Sequence, residues 1–551
     1  MLVLLIQKMH AQDLSNTELK PFSLTGSLIT SAENYSIPGL QTGRPINTAR
    51  LFFSPTISIY GLSLPFSMVL STDERSFNQP FNQFGVSPQY KWLTLHAGYR
   101  SLHFSEFSLA DETILGGGAE VKFDWFRARS IYGRFRRSVE EDTITGVLPV
   151  FTRMGWATNI GFGGTESFID LNVLHAWDDS TSLDRYPTTA PVYPADNLLL
   201  ESNGRVAIMS GQLVFDGAFA GSIMTRDQRQ PSVQNSDVTA LSSGITDAKI
   251  SSRFNVAWKL GGTYNSEAFS LRLEFVRVDP DFQSMGASYI QNDRQDITVS
   301  PSVRLFEGSL RFGGSIGWRE DNLYNDRNYT TKRIISSANA NWNPSAFFGI
   351  DGQYSNYSMN NASSAALVND TSRVENVTES YSLSPRLIFL TGTTQHFLLF
   401  FVTKQQYADR NVVNGALSAN NVFTAMLNYT LSFASGLGFS AAFQFTEVQT
   451  SVLTNIIRGT TLGVNKSLFE NALNTSLSYT LNLTQASSES ATDRQHVLTL
   501  AALYRLSPLD AFDFRFQYNA YDAVNTARAS YSGTNTRLQY TRTFALGTQS
   551  R

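Results

Sequence analysis

Apolar and polar residues alternate in short stretches along nearly the whole chain, most clearly from Ile297 to Trp318. There Ile297, Val299, Pro301, Val303 and Leu305 alternate with Thr298, Ser300, Ser302 and Arg304. After a break at Phe306-Glu307-Gly308, Leu310, Phe312, Gly314, Ile316 and Trp318 alternate with Ser309, Arg311, Gly313, Ser315 and Gly317. A period of two predicts a hairpin with one apolar face and one polar face that includes arginine. Each arm is about ten to eleven residues, the length a tilted strand needs to cross a bilayer's hydrocarbon core. The unit recurs down the chain, so the expected fold is all-β, a transmembrane antiparallel β-barrel. The expected number of strands is about 26, within a range of about 24 to 28.

Taken in order, the pattern places strands at Phe22–Thr30, Ala49–Ile59 and Leu62–Leu70 and a last one at Thr536–Phe544. In WLTLHAGYR, Leu93, Leu95, Ala97 and Tyr99 form the lipid-facing set. Tight turns are expected near Phe123–Trp125, Gly163–Thr165, Ser210–Gln212, Asn265–Glu267, Phe306–Gly308, Asn343–Ser345, Gly392–Thr394, Ala434–Gly436, Lys466–Glu470 and Ser507–Asp510. Longer polar loops lie between them, among them 101–111, 179–195, 226–249, 279–293 and 320–332. Short turns on one side and long loops on the other match the periplasmic turns and extracellular loops of outer-membrane barrels. A soluble solenoid or propeller would need a fixed-period repeat, and none is present.

Composition agrees with this picture. Charged residues are 16% of the 551, against roughly 25% in soluble domains, and aromatics are 12%. Mean hydropathy is −0.17, and no apolar run approaches the ~18 residues of a spanning helix. Cysteine is absent, which removes disulfides and thiolate chemistry. The net charge of −3 decides nothing by itself. The start, MLVLLIQKMHAQD, has a short apolar core at Leu2–Ile6 and a small residue, Ala11. It resembles the end of a secretory signal peptide without the positively charged n-region. Residues 1–12 are therefore expected to be a signal peptide, 20–545 a single barrel and 546–551 a tail.

RSFNQPFNQFG (Arg75–Gly85), WLTLHAGYR (Trp92–Arg100), YGRF (Tyr132–Phe135), FVRVDPDFQSMG (Phe275–Gly286) and REDNLYN (Arg319–Asn325) carry a family resemblance. The chain resembles large outer-membrane β-barrel proteins of Bacteroidota-type bacteria that have no assigned activity. The resemblance implies a fold and a location in a Gram-negative outer membrane, and no chemistry.

Function is expected to reside in the lumen. About 26 strands enclose a channel wide enough to need a plug. About ten residues separate the signal from the first strand, so the plug is expected from infolded loops or a partner protein. Thr72–Gly85, Asp279–Asp293 and Glu320–Arg333 are the infolding candidates, with ordinary extracellular loops as the alternative. Turning each polar face inward gives a basic lumen: Arg100, Lys122, Arg127, Arg129, Arg153, Arg205, Arg253, Lys259, Arg272, Arg304, Arg311, Arg319, Arg386, Arg515 and Arg537. The acids on those faces include Glu120, Asp170, Glu201, Glu274 and Asp513. The candidate pore-lining set is Arg100, Lys122, Arg127, Arg129, Arg153, Arg272, Glu274, Arg304, Arg311 and Arg319. A basic ring concentrates anions. The competing reading is that these arginines clamp acidic loops or pair across strands.

No catalytic site, metal site or cofactor is expected. The histidines are scattered, and His175, alternating with Leu171, Val173 and Trp177, reads as an interfacial residue. The acidic clusters Trp177-Asp178-Asp179 with Asp184, and Glu320-Asp321-Asn322 with Asp326, lack the ordered calcium-loop pattern. Gly116-Gly117-Gly118 reads as a bend or close packing. Expected partners are outer-membrane lipid and lipopolysaccharide, the barrel-insertion machinery, and a plug or periplasmic partner protein; no nucleic-acid signature is present. The expected function is a channel or translocation component for anionic or bulky solutes. The alternative is a structural barrel anchoring a surface complex or adhesin.

Overall fold

The computed structural model describes residues 21–38, 45–73, 82–143, 146–185, 191–233, 244–327, 329–363, 375–409, 418–488, 491–524 and 528–547. The signal-peptide expectation, most of the Thr72–Gly85 candidate and the last residues of the tail lie outside these. The wall is one antiparallel sheet whose first strand, Ser23–Ser36, pairs with the last, Tyr531–Leu546, so it closes on itself. Two short segments, Gln83–Val86 and Gln89–Tyr90, are pieces of a single strand broken at Ser87-Pro88, where proline removes a ladder donor. The barrel therefore has 26 strands, and its last one runs to Leu546, one residue past the expected barrel end.

The tight turns fall where the pattern puts them. Ile297–Trp318 becomes strands Arg294–Leu305 and Leu310–Glu320, joined through Phe306–Gly308. Strands are longer than the bilayer requires, reaching 17 residues at Glu375–Thr391. The wall therefore stands proud of the membrane on the long-loop side.

Directly paired residues share a face, so the register carries one face assignment around the barrel. The outward face is apolar and exposed, with Leu95, Ile160, Leu171, Leu200, Phe219, Leu260, Leu273 and Ile297 on it. Aromatic clusters edge this band. Trp92 and Phe123 (5.4 Å) and Phe126 and Phe162 (5.4 Å) sit at the short-turn side. Trp156, His175 and Trp177 sit at the loop side, where His175 also bonds Asp196 at 3.0 Å. A closed barrel with an exposed apolar band between aromatic girdles is an outer-membrane protein.

Five glycines lie side by side on the inner face of successive strands: Gly85 opposite Gly98, Gly98 opposite Gly116, Gly116 opposite Gly133 and Gly133 opposite Gly155. Gly98 adopts φ +91°, and a Cβ on Gly116 would lie 2.0 Å from the Tyr132 carbonyl oxygen. A row without side chains lets strands approach closely and the sheet turn a corner.

Candidate functional site

The inner wall divides into three zones. In the first, charged residues are spent on one another. Arg153 grips Asp178 with both arms (2.8 and 3.1 Å), and Arg136 adds a contact at 3.2 Å. Arg127 pairs with Asp170 at 2.7 Å and lies over the Phe168 ring. Arg272 holds Asp216 through two bonds (2.7 and 2.9 Å) and Glu274 at 2.7 Å. Arg319 binds Asp296 at 2.6 and 2.9 Å, and Arg386 binds Asp351. Of the expected pore-lining set, Arg127, Arg153, Arg272, Glu274 and Arg319 lie on the inner face engaged in these ion pairs. Asp178, expected in a loop cluster, instead sits buried in this network.

The second zone is covered by chain folded against the wall. Residues 279–293 lie along it, as expected, with Phe282 and Met285 buried. Their rings and side chains meet Phe107 and Leu109 of residues 104–109 and Leu174, Leu199, Ala220 and Val276 of the wall. Phe107 and Phe282 cross edge to face at 6.1 Å. Alanines at 157, 220 and 257, fully buried, leave room for the incoming chain. Polar anchors complete the attachment. The Ser222 hydroxyl donates to the Gln283 carbonyl (2.6 Å), the Met285 amide to Asn197 (3.0 Å) and the Ser284 hydroxyl to the Ser108 carbonyl (3.0 Å).

Wall cations reach the same segments. Arg129 donates to the His103 carbonyl (2.9 Å) and covers Phe104, Lys259 pairs with Glu106 at 3.1 Å, and Arg319 donates to Gln291 (3.0 Å). Glu201 is buried behind residues 104–109, accepting from the Ser105 hydroxyl and from Asn172 (3.2 Å). Of the Glu320–Arg333 candidate, Glu320 and Tyr329–Arg333 belong to wall strands, and residues 321–327 between them reach the infolded segment: the Leu323 amide donates to Asp293 (3.0 Å) and Arg327 pairs with it at 2.9 Å.

Residues 104–109 fall within 101–111, which the sequence pattern assigns to a polar loop. The signal was present in LHFSEFSLA, whose Leu102, Phe104, Phe107 and Leu109 are all buried.

In the third zone the cations stand alone. Lys122, Arg304 and Arg515 are exposed on the inner face and form no hydrogen bond or ion pair among the described residues, while the exposed Arg205 lies directly opposite Asp216 and acts on it electrostatically. Arg304 lies directly opposite Arg311, itself exposed, whose guanidinium reaches only the Gly308 carbonyl at 3.4 Å. Like charges facing each other across a ladder are destabilising. Arg515 likewise faces Arg537. Lys122, Arg205, Arg304 and Arg311 all lie near the short-turn ends of their strands.

Arg100 belongs to none of these. It crosses above Gly85 to the Ser67 hydroxyl (2.7 Å) and ties the strands on either side of the broken one. At the break the Ser87 hydroxyl meets His96 Nδ1 (2.9 Å) and His96 Nε2 meets Glu120 (2.8 Å). The triple resembles a nucleophilic constellation, and the Ser87 amide is bonded to the Pro65 carbonyl (3.0 Å). It serves as a second staple across the break, and sequence spacing gave no hint of it.

No protein-family model matches the chain, and no curated protein matches it significantly. Among solved structures it is similar to Acinetobacter baumannii OccAB3, at 11% identity and a TM-score of 0.31, over 71% of this chain and 99% of that one. It is also similar to the P pilus usher PapC translocation pore, at 10% identity and 0.26, over 94% and 98%. A third is an anion-selective porin from Comamonas acidovorans, at 13% identity and 0.26, over 70% and 100%.

Proposed function

We propose that the protein is an outer-membrane channel whose anion preference comes from the unpaired cations near its short-turn mouth. Two readings of the lumen arginines, anion attraction and loop clamping, were in competition, and the wall divides between them. Arg127, Arg129, Arg153, Arg272 and Arg319 are clamps, their charge cancelled locally or committed to the infolded chain. Lys122, Arg304 and Arg311 form a basic crescent below that chain, joined by Arg205, which shares its charge with the facing Asp216. The observation that carries the reading is the Arg304–Arg311 opposition, which costs stability and persists in contact with the lumen. Residues 104–109 and 279–293 narrow one arc. A barrel with strands about 4.8 Å apart, tilted by about 40°, is roughly 50 Å across, so these segments line the lumen without spanning it.

The test is single-channel conductance in a planar bilayer under a salt gradient, after heat-modifiable gel mobility confirms insertion. The expected result is an anion-side reversal potential that moves toward zero in Arg304→Ala/Arg311→Ala. In Arg153→Ala it stays put while thermal stability falls. Selectivity unchanged by the Arg304/Arg311 pair would refute the crescent. Silence from a folded barrel would favour a structural barrel or one filled by a partner protein.

A further inference from the structure

The wall opposite the charged zones has a different chemistry. It comprises the consecutive strands Thr394–Asp409, Asn420–Ser432, Leu437–Thr450, Thr454–Leu468 and Leu473–Ala486. Pairing sets Phe397 opposite Thr430, Leu399 opposite Asn428, Phe401 opposite Met426 and Thr403 opposite Thr424. Onward ladders keep Gln444, Thr461 and Asn482 on that inner face. Apart from Asp409 at the loop end, no residue on this face carries a charge, whereas every strand from Ala110–Lys122 to Leu310–Glu320 contributes at least one.

Within the strand Thr394–Asp409, the stretch Phe397–Val402 is also apolar on both faces. His396, Leu398, Phe400 and Val402 point outward; Phe397, Leu399 and Phe401 point inward, with Ile388 paired to Phe397. A strand apolar on both sides is one that is covered on both sides. Lipid covers the outer face. The inner face opens to the lumen, so its cover is a solute or partner that prefers rings to water.

The surroundings narrow its chemistry. An anion finds no cation on the inner face of these strands, whose Lys404, Arg458 and Lys466 point outward. An acyl chain would match the rings and leave the neighbouring amides and hydroxyls without partners, which is costly. A sugar ring satisfies both: its flat C–H face lies on an aromatic ring, and its hydroxyl rim exchanges hydrogen bonds with Asn, Gln and Thr. Phe397 and Phe401, four residues apart, are about 13 Å from each other along the strand, so a chain of sugars can rest on both at once.

We infer that this arc is a binding wall for an uncharged oligosaccharide chain, stacked on Phe397 and Phe401 and hydrogen-bonded by Asn428 and Gln444. The inference rests on the channel reading only in taking this face as reachable by solute. The test adds maltohexaose, cellohexaose or chitohexaose to the conducting channel. The expected result is reversible, concentration-dependent block by at least one of them, weakened about tenfold in Phe397→Ala/Phe401→Ala. If that variant fails to insert, Phe397→Leu/Phe401→Leu keeps the bulk and removes the ring faces, and the same weakening is expected. A conducting channel that none of the three blocks, or a block indifferent to the rings, overturns the inference and leaves the channel standing. A protein that does not conduct overturns the channel reading instead. Calorimetric binding of the same hexasaccharides to the detergent-solubilised barrel then decides: binding lost with the rings sustains the inference, and no binding overturns it.

Discussion

Phe282→Ala isolates what holds residues 279–293 to the wall. The ring is 1% exposed and packs against Phe107 within the lumenal core. Truncating a buried phenylalanine costs about 3–5 kcal/mol. Here the loss falls on the attachment of the segment, because the wall's closed ladder does not pass through Phe282. At about 1.4 kcal/mol per tenfold, the detached population rises by roughly 10² to several times 10³-fold. The remaining anchors, through Ser222, Asn197 and Arg319, are unchanged. Limited proteinase K digestion of the reconstituted barrel reads this directly; trypsin does not, since residues 279–293 hold no Lys or Arg and the flanking Arg277 and Arg294 are paired in the wall's ladder. Cleavage there is expected to accelerate by a factor of that order, with larger and noisier single-channel currents and unaltered heat-modifiability. Equal protease resistance and equal current in the variant would show that the segment is held by something other than this core.

Two other outcomes follow from the geometry. Gly116→Val places a side chain against the Tyr132 carbonyl, where even a Cβ would be 2.0 Å away, so the yield of heat-modifiable, inserted barrel is expected to collapse, while Gly117→Val on the open outward side is tolerated. Anion selectivity is expected to fade as salt rises from about 0.01 M to 1 M, because the screening length shrinks from about 30 Å to 3 Å; saccharide block measured over the same range is expected to stay level.

The wall was legible because alternation reports a strand's two faces directly, and Phe306–Gly308 shows how well turn residues mark its ends. Charge was legible only as to face. Arg153 and Arg304 look alike in sequence, each a basic residue on a polar face. Their difference lies in what the neighbouring strand sets beside them: Asp178 on one side, Arg311 on the other. That depends on register between strands, which single-strand periodicity does not encode. Residues 104–109 escaped for a related reason. Their Phe and Leu spacing follows no strand period, since the segment packs as an irregular loop into the same buried cluster as Phe282 and Met285. The Ser87–His96–Glu120 staple required knowing that a broken strand brings residues 87, 96 and 120 into one row.

The width of the lumen determines how these zones act together. In a barrel roughly 50 Å across, with a screening length of about 8 Å at physiological salt, the basic crescent cannot impose its potential on the opposite arc. Narrow pores select by one field that every solute crosses; a wide one selects by which wall a solute touches. The clamps remove charge from the arc that holds the infolded chain, so that arc is a fixed structural flank. The cations left over act at short range near the mouth. The uncharged arc, with rings facing water, recognises by stacking and hydrogen bonding, which screening does not weaken. The two surfaces can therefore serve different solutes in one lumen, and mutating either should leave the other's selectivity intact.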